Sequence, residues 1–67
     1  MTDLQKKVVI AYAENDMRLD KAAAAAHYHR NTIQYHIEQI RRKTGLNPKK
    51  FFDLVKLYRI ATGEEKE

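Results

Sequence analysis

Apolar residues recur three and four positions apart along most of the chain, which is the spacing of amphipathic helices and not of strands. Together with capping residues, this pattern predicts four helices, over residues 3–15, 20–27, 30–44 and 48–62. No alternating pattern indicates a strand, and no repeat or linker divides the sequence. We therefore predict one all-α, four-helix domain over residues 1–67 that ends in a frayed acidic tail at 63–67.

The first two predicted helices are delimited by residues that commonly begin and end helices. Thr2 followed by Gln5 forms a capping box, and Asn15 is a poor residue for a helix interior. The apolar face of the first helix consists of Leu4, Val8 and Ala11, widened by Tyr12. Asp20 is predicted to be the N-cap of the second helix, whose alanines at 22–26 combine high helix propensity with small volume.

The third helix has an apolar stripe of Ile33, Ile37 and Ile40. The basic residues at 41–43 and Gly45, which suits a left-handed position, predict its end. Asn47 and Pro48 are then expected to serve as the N-cap and first residue of the last helix.

Residues 19–44 have the organisation of a helix-turn-helix, with two helices, a short turn and a small residue at the helix crossing. We expect the two helices to approach most closely at Ala23, with Ile33 and Ile37 packing from the second helix. A helical hairpin that does not bind DNA would need most of the same pattern, so the pattern alone leaves both interpretations open.

The last helix carries apolar residues on more than one side. One face is predicted to pack within the domain and consists of Phe51, Leu54, Val55, Tyr58 and Ala61. Phe52, Leu57 and Ile60 lie outside that face, and we predict that they form the interface of a homodimer. A dimer would supply the second set of DNA contacts that a single recognition helix lacks.

The positive charge is concentrated in one third of the chain. The whole sequence has 13 basic and 9 acidic residues, for a net charge of +4. Six of the basic residues but only one acidic residue, Glu38, lie between positions 30 and 50. This segment is therefore predicted to contact a polyanion, although a solvated surface would have a similar composition.

A more specific pattern lies in the same segment. Residues 29–32 read His-Arg-Asn-Thr, Tyr35 follows after two residues, and residues 44–46 read Thr-Gly-Leu. This pattern resembles the C-terminal helix-turn-helix of the PucR-type bacterial regulators, which include purine-catabolism and sugar-diacid regulators. The resemblance extends over about residues 4–61 and implies a DNA-binding transcription regulator.

The sequence departs from the family pattern at His36, where an arginine is usual, so the recognition helix lacks one permanent charge. Family members also carry N-terminal sensing domains. Because no such domain precedes the motif in this sequence, we expect that the DNA-binding unit stands alone or that its partner domain has been lost, and no effector ligand is carried over from the resemblance.

In a helix-turn-helix the second helix lies in the major groove. Arg30 suits bidentate pairing with guanine, and Asn31 or Gln34 suits adenine. Each polar residue also has a structural alternative, since Asn31 could cap the helix, Thr32 could bond the backbone instead of a phosphate or thymine methyl, and Tyr35 could cover the core instead of a phosphate. The predicted DNA-binding residues are His29, Arg30, Asn31, Thr32, Gln34, Tyr35, Lys49 and Lys50.

Four of the basic residues are expected near helix ends. Lys49 and Lys50 are predicted in the first turn of the last helix, where positive charge opposes the helix dipole, and we interpret them as ligands of a DNA phosphate. Arg41 and Arg42 either touch the DNA backbone at the far wall of the groove or neutralise the end of their own helix.

The sequence lacks the signatures of catalysis, with no nucleophile triad and no glycine-rich phosphate loop, so neither an enzyme nor a cofactor is predicted. His27 and His29 straddle a turn, and His36 lies two helical turns further on, so no metal site is expected. No apolar stretch reaches the roughly 20 residues of a membrane span, and no signal segment is present, which predicts a cytoplasmic protein. The expected partner is double-stranded DNA. The rival interpretations are an interaction module for a separate regulatory protein and nucleic-acid binding without sequence preference.

Overall fold

The computed structural model describes residues 1–66 and contains no strand within them. Its four helices are α1 (Asp3–Glu14), α2 (Leu19–Ala26), α3 (Arg30–Thr44) and α4 (Phe51–Ala61). The predicted all-α, four-helix architecture is therefore confirmed. No helix in residues 1–66 is long and apolar enough to cross a membrane.

Helix α1 is the central element, because it packs against each of the other three helices, while α2 also packs against α3. All four helices contribute to one apolar core. It consists of Val8, Val9, Tyr12, Ala22, Ala23, Ile33, Ile37, Ile40, Leu54 and Leu57. The α2–α3 pair thus packs on α1, and α4 packs on α1 as well.

The start of α1 follows the sequence closely. The Gln5 amide donates to Thr2 Oγ1 at 3.1 Å, and the Thr2 amide donates to Gln5 Oε1 at 3.1 Å, which completes the predicted capping box. The buried face is rotated from the predicted one, because α1 is covered by three helices and not by one. Its buried residues are Gln5, Val8, Val9 and Tyr12.

Helix α2 begins at Leu19, so the prediction that Asp20 is its N-cap is wrong. Arg18 is the N-cap residue and makes no side-chain capping bond. Asp20 lies in the first turn, and the backbone amide of Lys21, followed by the Arg18 guanidinium, lowers the pKa of its carboxyl group. Ala23 is buried against the core as expected for a close helix crossing.

Helix α4 begins at Phe51, three residues after the predicted start at Pro48. Asn47 caps a turn and not the helix, since its Oδ1 accepts from the Lys49 amide at 3.0 Å. The Asn47 amide donates to Asp53 Oδ2 at 3.0 Å, which ties this turn to the first turn of α4. Lys50 is the N-cap residue with extended backbone, so neither lysine lies in the first turn of the helix.

The faces of α4 also differ from the prediction. Leu57 has 0% of its surface exposed and belongs to the core, so its prediction as a dimer-interface residue is wrong. Ile60 is half-buried, whereas Phe52 is 83% exposed. Two residues assigned to the internal face, Phe51 and Val55, are exposed instead. The outer surface of α4 therefore includes an apolar patch of Phe51, Phe52 and Val55, beside the exposed Lys56 and Arg59.

The chain after α4 folds back on the helix as far as it is described. Gly63 has a positive φ of 87°, and the amides of Glu64 and Glu65 both donate to the Arg59 carbonyl. The Arg59 guanidinium also lies 3.5 Å from Glu64 Oε2. These contacts hold both glutamates against the end of α4 in this conformation, the fraying of the tail stays a prediction, and Glu67 lies outside the described residues.

Candidate nucleic-acid interface

The N-terminus of α3 is capped by a histidine. His29 Nδ1 accepts a hydrogen bond from the Asn31 amide at 3.1 Å, so His29 is the N-cap and Asn31 is not. Because Nδ1 accepts, the neutral imidazole carries its hydrogen on Nε2, which remains free to donate to a ligand. Sequence reasoning missed this role, since histidine is not among the residues that favour the N-cap position.

Replacing His29 with alanine is expected to lower the free energy of unfolding by about 1 kcal/mol, because the Asn31 amide loses its acceptor. His29→Asn, which restores a capping oxygen, should recover most of that loss. Urea unfolding monitored by circular dichroism measures both values. Equal stabilities for His29→Ala and the unmodified protein would contradict the capping role.

The solvent face of α3 near its N-terminus is a row of polar side chains. The exposed members are Arg30, Asn31, Gln34 and Tyr35. Ile33 and Ile37 are buried on the opposite face, so the orientation of α3 is fixed by packing and not by the polar residues themselves. Thr32 is half-buried and lies at the edge of the row.

Tyr35 stands out from this row. It is 60% exposed and makes an edge contact with the His36 ring at a centroid distance of 5.2 Å. Its ring therefore does not cover the core, which removes the structural alternative considered for it. The phenol hydroxyl is available to a ligand along the same face as Gln34.

Ion pairs divide the basic residues into two groups. Arg41 hydrogen-bonds Glu38, and Arg42 Nε lies 3.7 Å from Glu38 Oε1. The hydrogen bond from Arg41, with its charge and that of Arg42, lowers the pKa of Glu38. This arrangement favours the interpretation that both arginines neutralise the end of their own helix, which closes at Gly45 with a φ of 75°.

The second group of basic residues makes no ion pair within residues 1–66. It includes three of the predicted DNA-binding residues, Arg30, Lys49 and Lys50, all of which are exposed. Arg30 and Lys49 line the same open cleft, whereas Lys50 does not contribute to its wall. The fold thus brings the turn before α4 to the N-terminus of α3, although the two are far apart in the sequence.

The cleft has a volume of about 660 Å³ and reaches from the end of α1 to the start of α3. Arg18 also lines it, although the sequence analysis did not single this residue out. The one sequence feature that could have pointed to Arg18 as a site residue is its position immediately before a helix. Three basic residues and one carboxylate line the cleft, so its charge suits an anion.

The predicted DNA-binding residues lie apart from the predicted dimer-interface residues. The polar row on α3 and the cleft are adjacent, since Arg30 belongs to both. Phe52 and Ile60 lie on α4, away from the polar row in the sequence and on a separate helix. The structure therefore brings together most of the predicted DNA-binding residues and leaves the predicted dimer residues on another element.

The model of one protein family, the PucR C-terminal helix-turn-helix domain, matches residues 6–60 of the 67-residue chain. The match includes the whole of α2 and α3, most of α1 and all but the last residue of α4. Neither a curated protein nor a solved structure matches the sequence. The family is one of DNA-binding domains of transcription regulators. On this match, together with the helix-turn-helix at residues 19–44, the chain belongs to the PucR C-terminal helix-turn-helix domain family.

Proposed function

We propose that this protein binds double-stranded DNA sequence-specifically, with α3 in the major groove, as a bacterial transcriptional regulator in the cytoplasm. The observation that carries the proposal is the exposed polar row at the N-terminal half of α3, next to basic residues that have no acidic partner in residues 1–66. Guanidinium and amide groups clustered on one exposed face are the groups that contact phosphates and base edges.

The polar row suits contacts with base edges. Arg30 has the planar fork that pairs with guanine O6 and N7, while Asn31 or Gln34 can pair with adenine N6 and N7. Since the His29 ring caps the helix, the Asn31 side chain is released from that task. Thr32 has a short side chain that is half-buried, and it suits a contact with a thymine methyl or with a phosphate.

Other side chains suit the DNA backbone. Lys49 and Lys50 extend the positive surface from the start of α3 to the start of α4, and we assign them to phosphates. His29 Nε2 and the Tyr35 hydroxyl are further donors on exposed side chains at the N-terminal half of α3. These contacts would orient α3 in the groove without reading sequence.

We also propose that the protein acts as a homodimer. Phe52 is almost fully exposed, and Phe51 and Val55 join it in an apolar patch on α4. Half-buried Ile60 remains available for a smaller contribution, while Leu57 does not. Two copies related by a two-fold axis would present two α3 helices to successive turns of the major groove.

The proposal is tested by fluorescence anisotropy with labelled duplexes, one from a random-sequence pool and one from the region upstream of the protein's own gene, at two salt concentrations. Tighter binding to the upstream duplex that persists at the higher salt concentration is expected. Equal binding to both duplexes would indicate binding without sequence preference. An absence of binding at low salt would contradict the proposal and favour the interaction module for a regulatory protein.

Neutralising both lysines before α4, by Lys49→Gln with Lys50→Gln, is expected to reduce the slope of log affinity against log salt by nearly two, because each phosphate contact releases about one counterion. The matched control is Lys6→Gln with Lys7→Gln on α1, which removes the same charge outside the proposed interface. An equal change of slope in both double variants would assign the effect to net charge and remove the two lysines from the interface.

A further inference from the structure

The cleft beside α3 contains a polar group that the polar row does not explain. Tyr12, on α1, is only 4% exposed, yet it lines the cleft. Its hydroxyl makes no hydrogen bond with any residue in the described part of the chain, residues 1–66. This oxygen is not among the side-chain polar atoms of residues 1–66 that are both buried and without a partner, so it is accessible from the cleft although its ring is buried. The ring is held in the core while the donor group faces an open site.

The charges around this hydroxyl favour an anion. Arg18, Arg30 and Lys49 line the cleft together with a single carboxylate, Asp20, which leaves two positive charges in excess. The Asp20 carboxylate is engaged with Arg18, whose Nη2 lies 3.4 Å from Oδ2. Neither Arg30 nor Lys49 makes an ion pair within residues 1–66, and the charge of Lys49 acts on Glu38 only from a distance, where it helps to lower the pKa of that carboxyl group.

The protonation state of Tyr12 fits a donor role. Burial raises the pKa of Tyr12, so the hydroxyl keeps its proton at neutral pH. A neutral hydroxyl can donate one hydrogen bond, and a phosphate oxygen accepts such bonds well. The side chains around it supply charge, whereas Tyr12 supplies a donor in a fixed position.

We propose that this cleft binds one phosphodiester group of the DNA backbone, with the Tyr12 hydroxyl as a hydrogen-bond donor and Lys49 as its charged partner, while Arg30 at the edge of the cleft reaches the base. The inference rests on the proposed function, since the cleft opens at the N-terminus of α3 and phosphates border the groove that α3 would enter. Contact from α1 would fix the depth and angle at which α3 lies in the groove.

The experiment combines Tyr12→Phe with single methylphosphonate substitutions along a duplex of about 20 base pairs, or two helical turns. The duplex is the tightest-binding member of a random pool. Tyr12→Phe keeps the buried ring and removes only the hydroxyl, and it is expected to weaken binding about tenfold. At one phosphate position, neutralising the phosphate should weaken binding by the unmodified protein but have much less effect on Tyr12→Phe.

Tyr58→Phe is the matched control, because it removes a phenol hydroxyl that already bonds Glu14 Oε2 at 2.7 Å outside the cleft. Its effects and those of the methylphosphonates are expected to be additive at every position. Additive effects for Tyr12→Phe as well, with duplex binding by the unmodified protein intact, would overturn the inference alone. No duplex binding by the unmodified protein would overturn the proposed function and the inference together.

A second variant acts in the opposite direction. Asp20→Asn removes the carboxylate from the cleft and releases Arg18, so it is expected to strengthen duplex binding about fivefold at low salt. Unchanged or weaker binding by a folded Asp20→Asn protein would count against a phosphate in the cleft. Titration with inorganic phosphate alone separates the two sources of the anion, because submillimolar binding without duplex would assign the cleft to free phosphate instead of DNA.

Discussion

Replacing Leu57 with alanine is expected to lower the free energy of unfolding by about 2 to 5 kcal/mol, which is a large part of the stability of a domain of this size. The Leu57 side chain is fully buried in the core that α4 shares with α1. Truncation would remove its apolar contacts and leave a cavity at that junction. Urea unfolding and the temperature midpoint of unfolding measure the loss.

The matched control is Phe52→Ala on the same helix. Phe52 is 83% exposed, so its truncation should change the unfolding free energy of the monomer by less than about 0.5 kcal/mol. In sedimentation equilibrium, Phe52→Ala should also shift the protein from dimer towards monomer if the apolar patch joins two copies. Similar stability losses for both variants at a concentration where the protein is monomeric would contradict the division of α4 into a core face and an outer patch.

Replacing Arg30 with alanine is expected to weaken binding to the preferred duplex by about 1 to 3 kcal/mol, or about tenfold to a hundredfold, and to relax specificity at one base pair. Arg30 is exposed at the first position of α3 and has no acidic partner in residues 1–66. Its fork is therefore free to pair with a guanine. Selection from a random pool followed by anisotropy measures both effects.

Two further variants separate the possible roles of Arg30. Arg30→Lys keeps the charge but loses the bidentate fork, so it should retain most of the nonspecific affinity and lose the preference at that base pair. Arg42→Ala removes a guanidinium that is already close to Glu38, and it should have a much smaller effect. Uniform weakening on all duplexes by Arg30→Ala would assign this residue to a phosphate contact only.

In this small domain, stability and DNA recognition depend on opposite sides of α3. The core uses residues from all four helices, and α1 touches every other helix. Packing on one side of α3 is therefore supported by the whole fold, while its other side stays polar. Such an arrangement allows Arg30 or Gln34 to be changed with little effect on stability, which is what separates a binding surface from a core.

Local signals were sufficient for several features. The capping box at Thr2, the left-handed Gly45 and the isoleucine stripe of α3 each depend on residues within one or two turns, and the structure confirms all three. Family membership likewise rests on a contiguous pattern, and the match at residues 6–60 bears it out. The contacts assigned to individual DNA-binding residues remain predictions.

Predictions from local sequence failed where the same residue suits two different local structures. Asp20 suits both an N-cap and the first turn of a helix. Because α2 begins at Leu19, Asp20 lies in the first turn and is not the N-cap. Asn47 before Pro48 begins turns as readily as helices, and here the bond from the Asn47 amide to Asp53 accompanies a turn. The histidine cap at His29 was missed because its preference for that position is weak.

By itself, the sequence determined the helices, their approximate ends and the family, because these depend on spacing and contiguous residues. Only the tertiary structure decided which sides of α1 and α4 are buried, because both helices are apolar over a wide arc and the neighbouring helices select the side that is covered. The same packing placed Leu57 in the core and Phe52 at the surface. It also joined Tyr12, Arg30 and Lys49 around one cleft, since a site built from three separate segments has no local pattern in the chain.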